Sequence, residues 1–243
     1  VVDIDDAIWL YNPFGAGMIR RLVSRADAVF AGNQYLADWC RPFCRDIHVI
    51  PTAIDTERFR PVAAPREHGD RFVVGWTGTA GNFRFLRNIE PPLAAFLRKN
   101  SDATFLVVAD ERPSLPSLPQ EQLQFVRWTA SIEHEILAGM DVGIMPIDDS
   151  DLSRGKCSFK MLQYMAAGIP VVVSPYGMNA ELLALDRIGV GAVSSDDWVD
   201  ALQLLHGDQA LRERLGAAGR AVAETDFSTA SVANKIAKAF GAM

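Results

Sequence analysis

Short apolar runs alternate with amphipathic stretches along most of the chain. Residues 1–4 predict a strand closed by Asp5 and Asp6. A loop with Asn12, Pro13, Gly15 and Gly17 leads to a helix over 18–25, and residues 26–31 predict the next strand. Asn33 suits the N-cap of a helix over 34–41, because its side-chain oxygen can accept an otherwise orphaned amide. Residues 47–50 give a third strand ending at Pro51 and Thr52. Strands separated by helices imply a parallel sheet. Residues 55–70 are polar, carry Pro61 and Pro65 and lack periodicity, so they read as a linker.

Beyond residue 70 the alternation restarts. Strands are expected at 72–76, 104–109, 124–128, 141–147, 170–174 and 190–193. Helices are expected over 83–99, with a break at Pro91-Pro92, from Ser131 onward, and over 155–167, 180–185 and 196–205. A tail helical over 209–243 is interrupted near 226–228. Residues 148–154 read as a polar loop. Val142 to Met145 and Val171 to Val173 are apolar on both faces, as strands covered by helices on both sides must be. The fold class is therefore α/β, a doubly wound parallel sheet preceded by part of a second Rossmann-like unit. The expected division is 1–54, a 55–70 linker, a ligand-binding unit over 71–225, and a tail over 226–243 that packs back on the first portion. Ligands of such sheets sit beyond the carboxyl ends of the strands. That rule singles out the loops 75–82 and 148–156.

The chain has 243 residues, 49% hydrophobic and 22% charged, enough apolar mass for a sizeable core. Its net charge of −6 argues against nucleic acid as a partner. Cys40, Cys44 and Cys157 lack the paired spacing of a zinc site and read as free thiols of a reducing cytoplasm. Asp148, Asp149 and Asp151 lack the rest of a calcium loop, so no metal is expected. No apolar run reaches membrane-spanning length. The chain opens directly on a strand, which reads as a fragment with upstream strands missing.

The candidate chemistry lies around Ser153 to Gln163. Lys156, Lys160 and Gln163, at i, i+4 and i+7, fall within about 60° on a helix. A helix starting at Gly155 would aim free amides into the crevice, with Arg154 and Lys156 adding charge. That combination suits a diphosphate, and Gln163 could bond a ribose hydroxyl. The bland alternative is a solvated basic helix face. Gly78 and Thr79, in the glycine-rich turn 75–82, could present amides to phosphate, or simply make a tight strand-to-helix turn. Asp5 and Asp6 could orient an acceptor hydroxyl or act as base, or equally serve as a cap and a loop acid. The histidines form no triad-like pattern.

These residues carry a family likeness. Val49-Ile50-Pro51-Thr52-Ala53-Ile54-Asp55 through Phe59-Arg60-Pro61 resembles the interdomain run V-I-P-N-G-V-D-x-x-x-F-x-P of group 1 retaining GT-B glycosyltransferases. Leu162 to Ser174, with Met165-Ala166-Ala167-Gly168-Ile169-Pro170-Val171-Val172, resembles the same family's L-E-A-M-A-x-G-x-P-V-V. Ala26-Asp27-Ala28-Val29 and Gly32-Asn33 resemble its A-D-x-V-x-x-x-S strand. The resemblance implies a nucleotide-diphosphate sugar as donor substrate, with no separate cofactor, and transfer with retention to a sugar or lipid-linked acceptor. It also implies a cytoplasmic site of action, with peripheral contact at the inner face of a membrane. Three departures stand out. Gly155 and Gln163 occupy the positions of the family's two E-x7-E glutamates. The family's Arg and Lys after the first strand of the second unit are missing from 75–82, so Lys156 and Lys160 are expected to supply that charge. The portion before the linker is far shorter than the family's first domain. A non-catalytic nucleotide-sugar-binding or partner-binding module is the alternative. A GT-B-like epimerase lacks counterparts for its carboxylates and histidines here.

Overall fold

The structure, a computed structural model, describes residues 1–11, 15–61 and 71–242. Asn12 and Pro13 of the first loop, and the linker from 62 to 70 with Pro65, lie outside the described residues.

Among the described residues two parallel sheets form. The first has the order β1-β2-β3, from Val2–Ile4, Val29–Ala31 and Ile47–Val49. Helices α1 (Gly15–Val23) and α2 (Gln34–Cys40) connect its strands. The second sheet has the order β6-β5-β4-β7-β8-β9. Its strands are β4 (Phe72–Gly78), β5 (Ala103–Ala109), β6 (Leu123–Arg127), β7 (Val142–Met145), β8 (Val171–Val173) and β9 (Gly189–Gly191), all paired in parallel. Every residue of β5 and β7 is buried, as the two-sided apolar runs require. Chain order reverses between β4 and β7, so the ligand crevice of a doubly wound sheet falls at their carboxyl ends.

The helix expected over 83–99 is two helices, α3 (Phe83–Asn88) and α4 (Glu90–Lys99), broken at Ile89. Pro91 and Pro92 lie in the first turn of α4. There their missing amides cost nothing, so they start the second helix instead of kinking a continuous one. Helix α5 (Glu133–Leu137) is short. The stretch expected as a loop contains α6 (Asp151–Arg154), capped by the Ser150 hydroxyl.

The helix expected from Gly155 begins four residues later, as α7 (Phe159–Ala166), after Ser158 in the left-handed region at φ 50°. Long-range bonds explain the difference. The Asn33 amide donates to the carbonyls of Arg154 and Lys156, both at 3.2 Å, and the Cys157 thiol donates to the Asp5 carbonyl at 2.9 Å. These contacts satisfy the carbonyls of Arg154 and Lys156, which a continuous helix would have used, while Gly155 closes α6 with its amide on the Asp151 carbonyl. Lys156 is therefore off the helix, and the i, i+4, i+7 face reduces to Lys160 and Gln163.

The last helices of the described residues are α8 (Met178–Leu185), α9 (Ser195–Gly207), α10 (Gln209–Val222) and α11 (Thr229–Ala242). A wide helical turn at Ala223–Phe227 separates the last two, close to the expected interruption. Ile54 bridges Ser228, and Phe240 of α11 packs edge-on to Phe30 at 5.5 Å. The guanidinium of Arg220 on α10 donates to the carbonyls of Thr56, Phe59 and Ala166, tying the linker run to α7. One apolar cluster runs through both sheets, from Ile4, Val29 and Ala31 to Met161, Met165 and Val171.

All three cysteines are buried. Burial pushes the Cys157 thiol up to about 12 and that of Cys40 to about 11. Because the thiolate is the reactive form, both should resist a disulfide-exchange reagent at pH 8 until the chain unfolds. Rapid native labelling of Cys157, followed by peptide mapping, would contradict that burial.

Candidate functional site

The carboxyl ends of the first sheet face the loop that follows β7. Gly155 is pressed on Ala7: a Cβ there would lie 2.5 Å from the Ala7 Cβ and 2.9 Å from its nitrogen. Its lack of a side chain thus makes room for contact with Ala7. Gly32 likewise leaves room for the Cys157 sulfur. Asn33 is the hub of this seam. It is 1% exposed, caps α2 by accepting from the Leu36 amide at 2.9 Å, and holds the 154–156 loop through its two donor bonds. The sequence marks the cap but not the second role.

Lys160, on the first turn of α7, carries the central cation. Its side chain crosses Gly78, where a Cβ would meet the Trp76 ring at 2.3 Å and the Lys160 Cε at 3.0 Å. Its ammonium sits 5.9 Å from the Trp76 ring centroid. Among the described residues no carboxylate pairs with it. Burial, and secondarily the charge of Lys156, push its pKa down to about 8. The position is set from below: the fully buried Tyr164 hydroxyl accepts from the Thr77 amide at 3.0 Å. The Tyr164 ring lies where only Gly143 leaves space. This clamp fixes α7 against β4 and β7 at the reversal of chain order. The first bond of α7 runs from the Leu162 amide to the Ser158 carbonyl at 3.1 Å, so the amides of Phe159, Lys160 and Met161 precede any intrahelical partner. An unpaired ammonium beside free helix-start amides is a place for an anion.

The other expected residues are distributed around this corner. Arg154 is bound to Asp149 at 2.8 Å and exposed, so its charge is already matched. The Ala80 amide of the glycine-rich turn donates to Asp110 at 2.7 Å, and Thr79 accepts from the Asn82 side chain at 3.1 Å. Gly78 and Thr79 thus shape the turn under Lys160, with one of its amides already committed. Asp6 accepts from the Ala7 amide and the Tyr11 hydroxyl, both at 2.8 Å. Asp5 is exposed, with its backbone oxygen held by Cys157. Asp148 accepts from the hydroxyls of Ser150 and Ser153; burial pushes its pKa up, but these bonds outweigh it and leave the pKa lowered.

Gln163, 3% exposed, donates to Glu133 Oε1 at 2.9 Å. The same oxygen accepts from the Trp128 indole at 3.0 Å, and Arg58 approaches the other carboxylate oxygen at 3.3 Å. Glu133 and Arg84 are missing from the sequence-based candidates. Glu133 reads in sequence only as an acid suiting a helix dipole. Arg84, on α3, lies just beyond the 75–82 turn, and its charge reaches Tyr11 and Asp148. The available signal for both is position: each lies in the first turn of the helix that follows a strand's carboxyl end.

Among the described residues no helix is long and apolar enough to cross a membrane. No curated protein matches the chain in sequence. Solved structures match its fold. HepE of Anabaena, in complex with UDP and glucose, superposes with TM-score 0.80 at 16% identity, over 100% of this chain and 71% of its own. Sucrose-phosphate synthase of Thermosynechococcus elongatus gives 0.72 at 16%, over 94% of this chain; the chain spans 61% of the synthase's length. The C-terminal domain of a group 1 family protein (LpcC) of Francisella tularensis gives 0.55 at 18%, covering 72% of this chain and 99% of its own. The neighbours are GT-B glycosyltransferases, and the α/β architecture is theirs. Residues 72–208, more than half the chain, match the family model for glycosyl transferases group 1, and the chain belongs to that family.

Proposed function

We propose that this chain binds a nucleotide-diphosphate sugar and serves its transfer, with retention, to a sugar or lipid-linked acceptor. The observation that carries the reading is Lys160, an ammonium without a carboxylate partner among the described residues, set beside the first amides of α7. In transfer the bond from the sugar's anomeric carbon to the diphosphate breaks, the acceptor oxygen bonds that carbon, and the acceptor hydroxyl's proton passes to the departing diphosphate oxygen. The departing diphosphate gains negative charge, which Lys160, Lys156 and the α7 amides would stabilise without reorganising. The UDP and glucose bound by HepE support this donor class. Asp5, whose carboxylate is the freer of the pair, is the candidate to face the acceptor hydroxyl.

Binding is tested by thermal shift with UDP, GDP, ADP and their sugars. A ligand at about 100 times its Kd adds about 2.7 kcal/mol, a rise of about 5–10 °C for a chain of this size. If no nucleotide or nucleotide sugar moves the midpoint, the reading fails. Asp6 is already held by two donors, which favours a second reading, a module that binds donor without turning it over. Release of nucleoside diphosphate from the bound sugar nucleotide, with and without simple sugar acceptors, separates the two.

A further inference from the structure

A free edge of the larger sheet lies along an apolar groove. β9 pairs with β8 alone among the described residues. The Ala192 amide donates to the Val173 carbonyl at 2.9 Å. In this parallel register Val190 and Ala192 therefore face β8, and Gly189 and Gly191 turn amide and carbonyl to the open side. A cavity of about 810 Å³ runs along that side, and its walls come from both faces of the sheet. Leu183 of α8 packs with the cluster that holds Val171 and Val173, whereas Leu211 and Leu215 of α10 belong with the cluster that holds Val172. Two guanidinium groups also line the groove, Arg187 after α8 and Arg214 on α10. Both are exposed, and neither side chain has a partner among the described residues. The one carboxylate of the lining, Asp186, is turned onto the Arg187 amide at 2.6 Å.

Open strand groups, apolar walls on either side and two unmatched cations together restrict the occupant. An acyl chain would use the walls and offer nothing to the strand edge. A second copy presents a β9 recessed between the same helices, so two such edges do not meet. An extended peptide answers all three features. Its backbone pairs with Gly189 and Gly191, its alternating side chains point to the two walls, and its carboxylates reach the arginines. We infer that the groove along β9 docks an extended segment of another protein as an added strand, apolar in its middle and acidic at its ends. The groove shares no residue with the Lys160 corner, so the assignment stands apart from the donor-binding reading.

The probe is a phage-displayed library of random peptides about eight residues long, enough for one strand and its flanks. Panned on the full chain, and counter-selected on the chain with Arg187→Glu and Arg214→Glu, it should enrich apolar sequences flanked by Asp or Glu. A synthetic peptide from that pool is then titrated by fluorescence anisotropy, with its backbone amides methylated one at a time. Methyl groups at alternate residues should weaken binding about 10-fold or more, and those in between by less than about twofold, because one edge of the peptide bonds β9 and the other faces water. Arg187→Ala with Arg214→Ala should weaken binding about 10-fold. No enrichment over the counter-selected chain, enrichment of sequences without carboxylates, or a methyl scan without alternation overturns the assignment. So does a dimer in sedimentation that the arginine substitutions abolish, which would give the groove to a second copy. If the double variants do not fold, panning against an unrelated protein and the methyl scan on the wild-type chain decide alone.

Discussion

Replacing Lys160 with Met should weaken nucleoside-diphosphate binding about 100-fold and yet raise the melting temperature of the ligand-free chain by about 2–6 °C at pH 7. Both effects come from one feature, an ammonium drawn toward the interior beside Trp76 with no carboxylate partner among the described residues. A charge held this way costs stability when the site is free, and forms charge-assisted bonds when a phosphate arrives. Methionine keeps the stem's packing over Gly78 and removes the charge. A variant that lost binding and stability together would show Lys160 to be structural.

The pH dependence follows with opposite signs for the two properties. The folded, ligand-free chain releases the Lys160 proton near pH 8, whereas an unfolded lysine keeps it to about 10.5. Between these values the unfolded chain binds more protons, so the contribution of this residue to stability improves as pH rises through that window. Affinity for phosphate runs the other way. The charged form binds, so affinity should fall as pH climbs above 8, by up to about tenfold per unit. Titrations at pH 7 and 9.5, compared with Lys160→Met, isolate this residue's share.

Asn33→Leu should lower the melting temperature by about 6–12 °C. The side chain is buried and makes three bonds: it caps α2 and satisfies the carbonyls of Arg154 and Lys156. Loss of the cap costs about 1 kcal/mol, and each part-buried carbonyl left without its donor costs about 1 kcal/mol, the low end of the penalty for a buried group. The sum is about 3 kcal/mol, or about 2–4 °C per kcal/mol for a chain this long. Nucleotide affinity should fall as well, since the 154–158 loop that leads into α7 loses its mooring. Asn33→Ser retains a cap acceptor but cannot reach the loop, so it should recover about a third of the stability and little of the affinity. Differential scanning calorimetry with parallel titrations reads both.

The repeating strand and helix pattern was legible because each element's burial is written in local sequence. β5 is apolar on both faces, Asn33 announces a helix start, and Pro91-Pro92 mark a break in the helical run. The parallel order and the crevice at the strand ends followed from that alternation. The site's detail was not legible, because it is set by contacts between distant segments. Nothing in the run from Ser153 to Lys160 says that Asn33 and Asp5, more than a hundred residues earlier, take the carbonyls of Arg154 and Lys156 and the thiol of Cys157, so that α7 starts only at Phe159. Glu133 met Gln163 only through folding of α5 against α7. Nor does the sequence say that the missing side chains of Gly155 and Gly78 make room for Ala7 and for Trp76 and Lys160.

A crystal structure of the chain with a bound nucleoside diphosphate tests the central claim most directly. A phosphate oxygen should lie about 3 Å from Lys160 Nζ and within bonding distance of the first α7 amides. A diphosphate bound elsewhere, with Lys160 still without an anion beside it, would contradict the account.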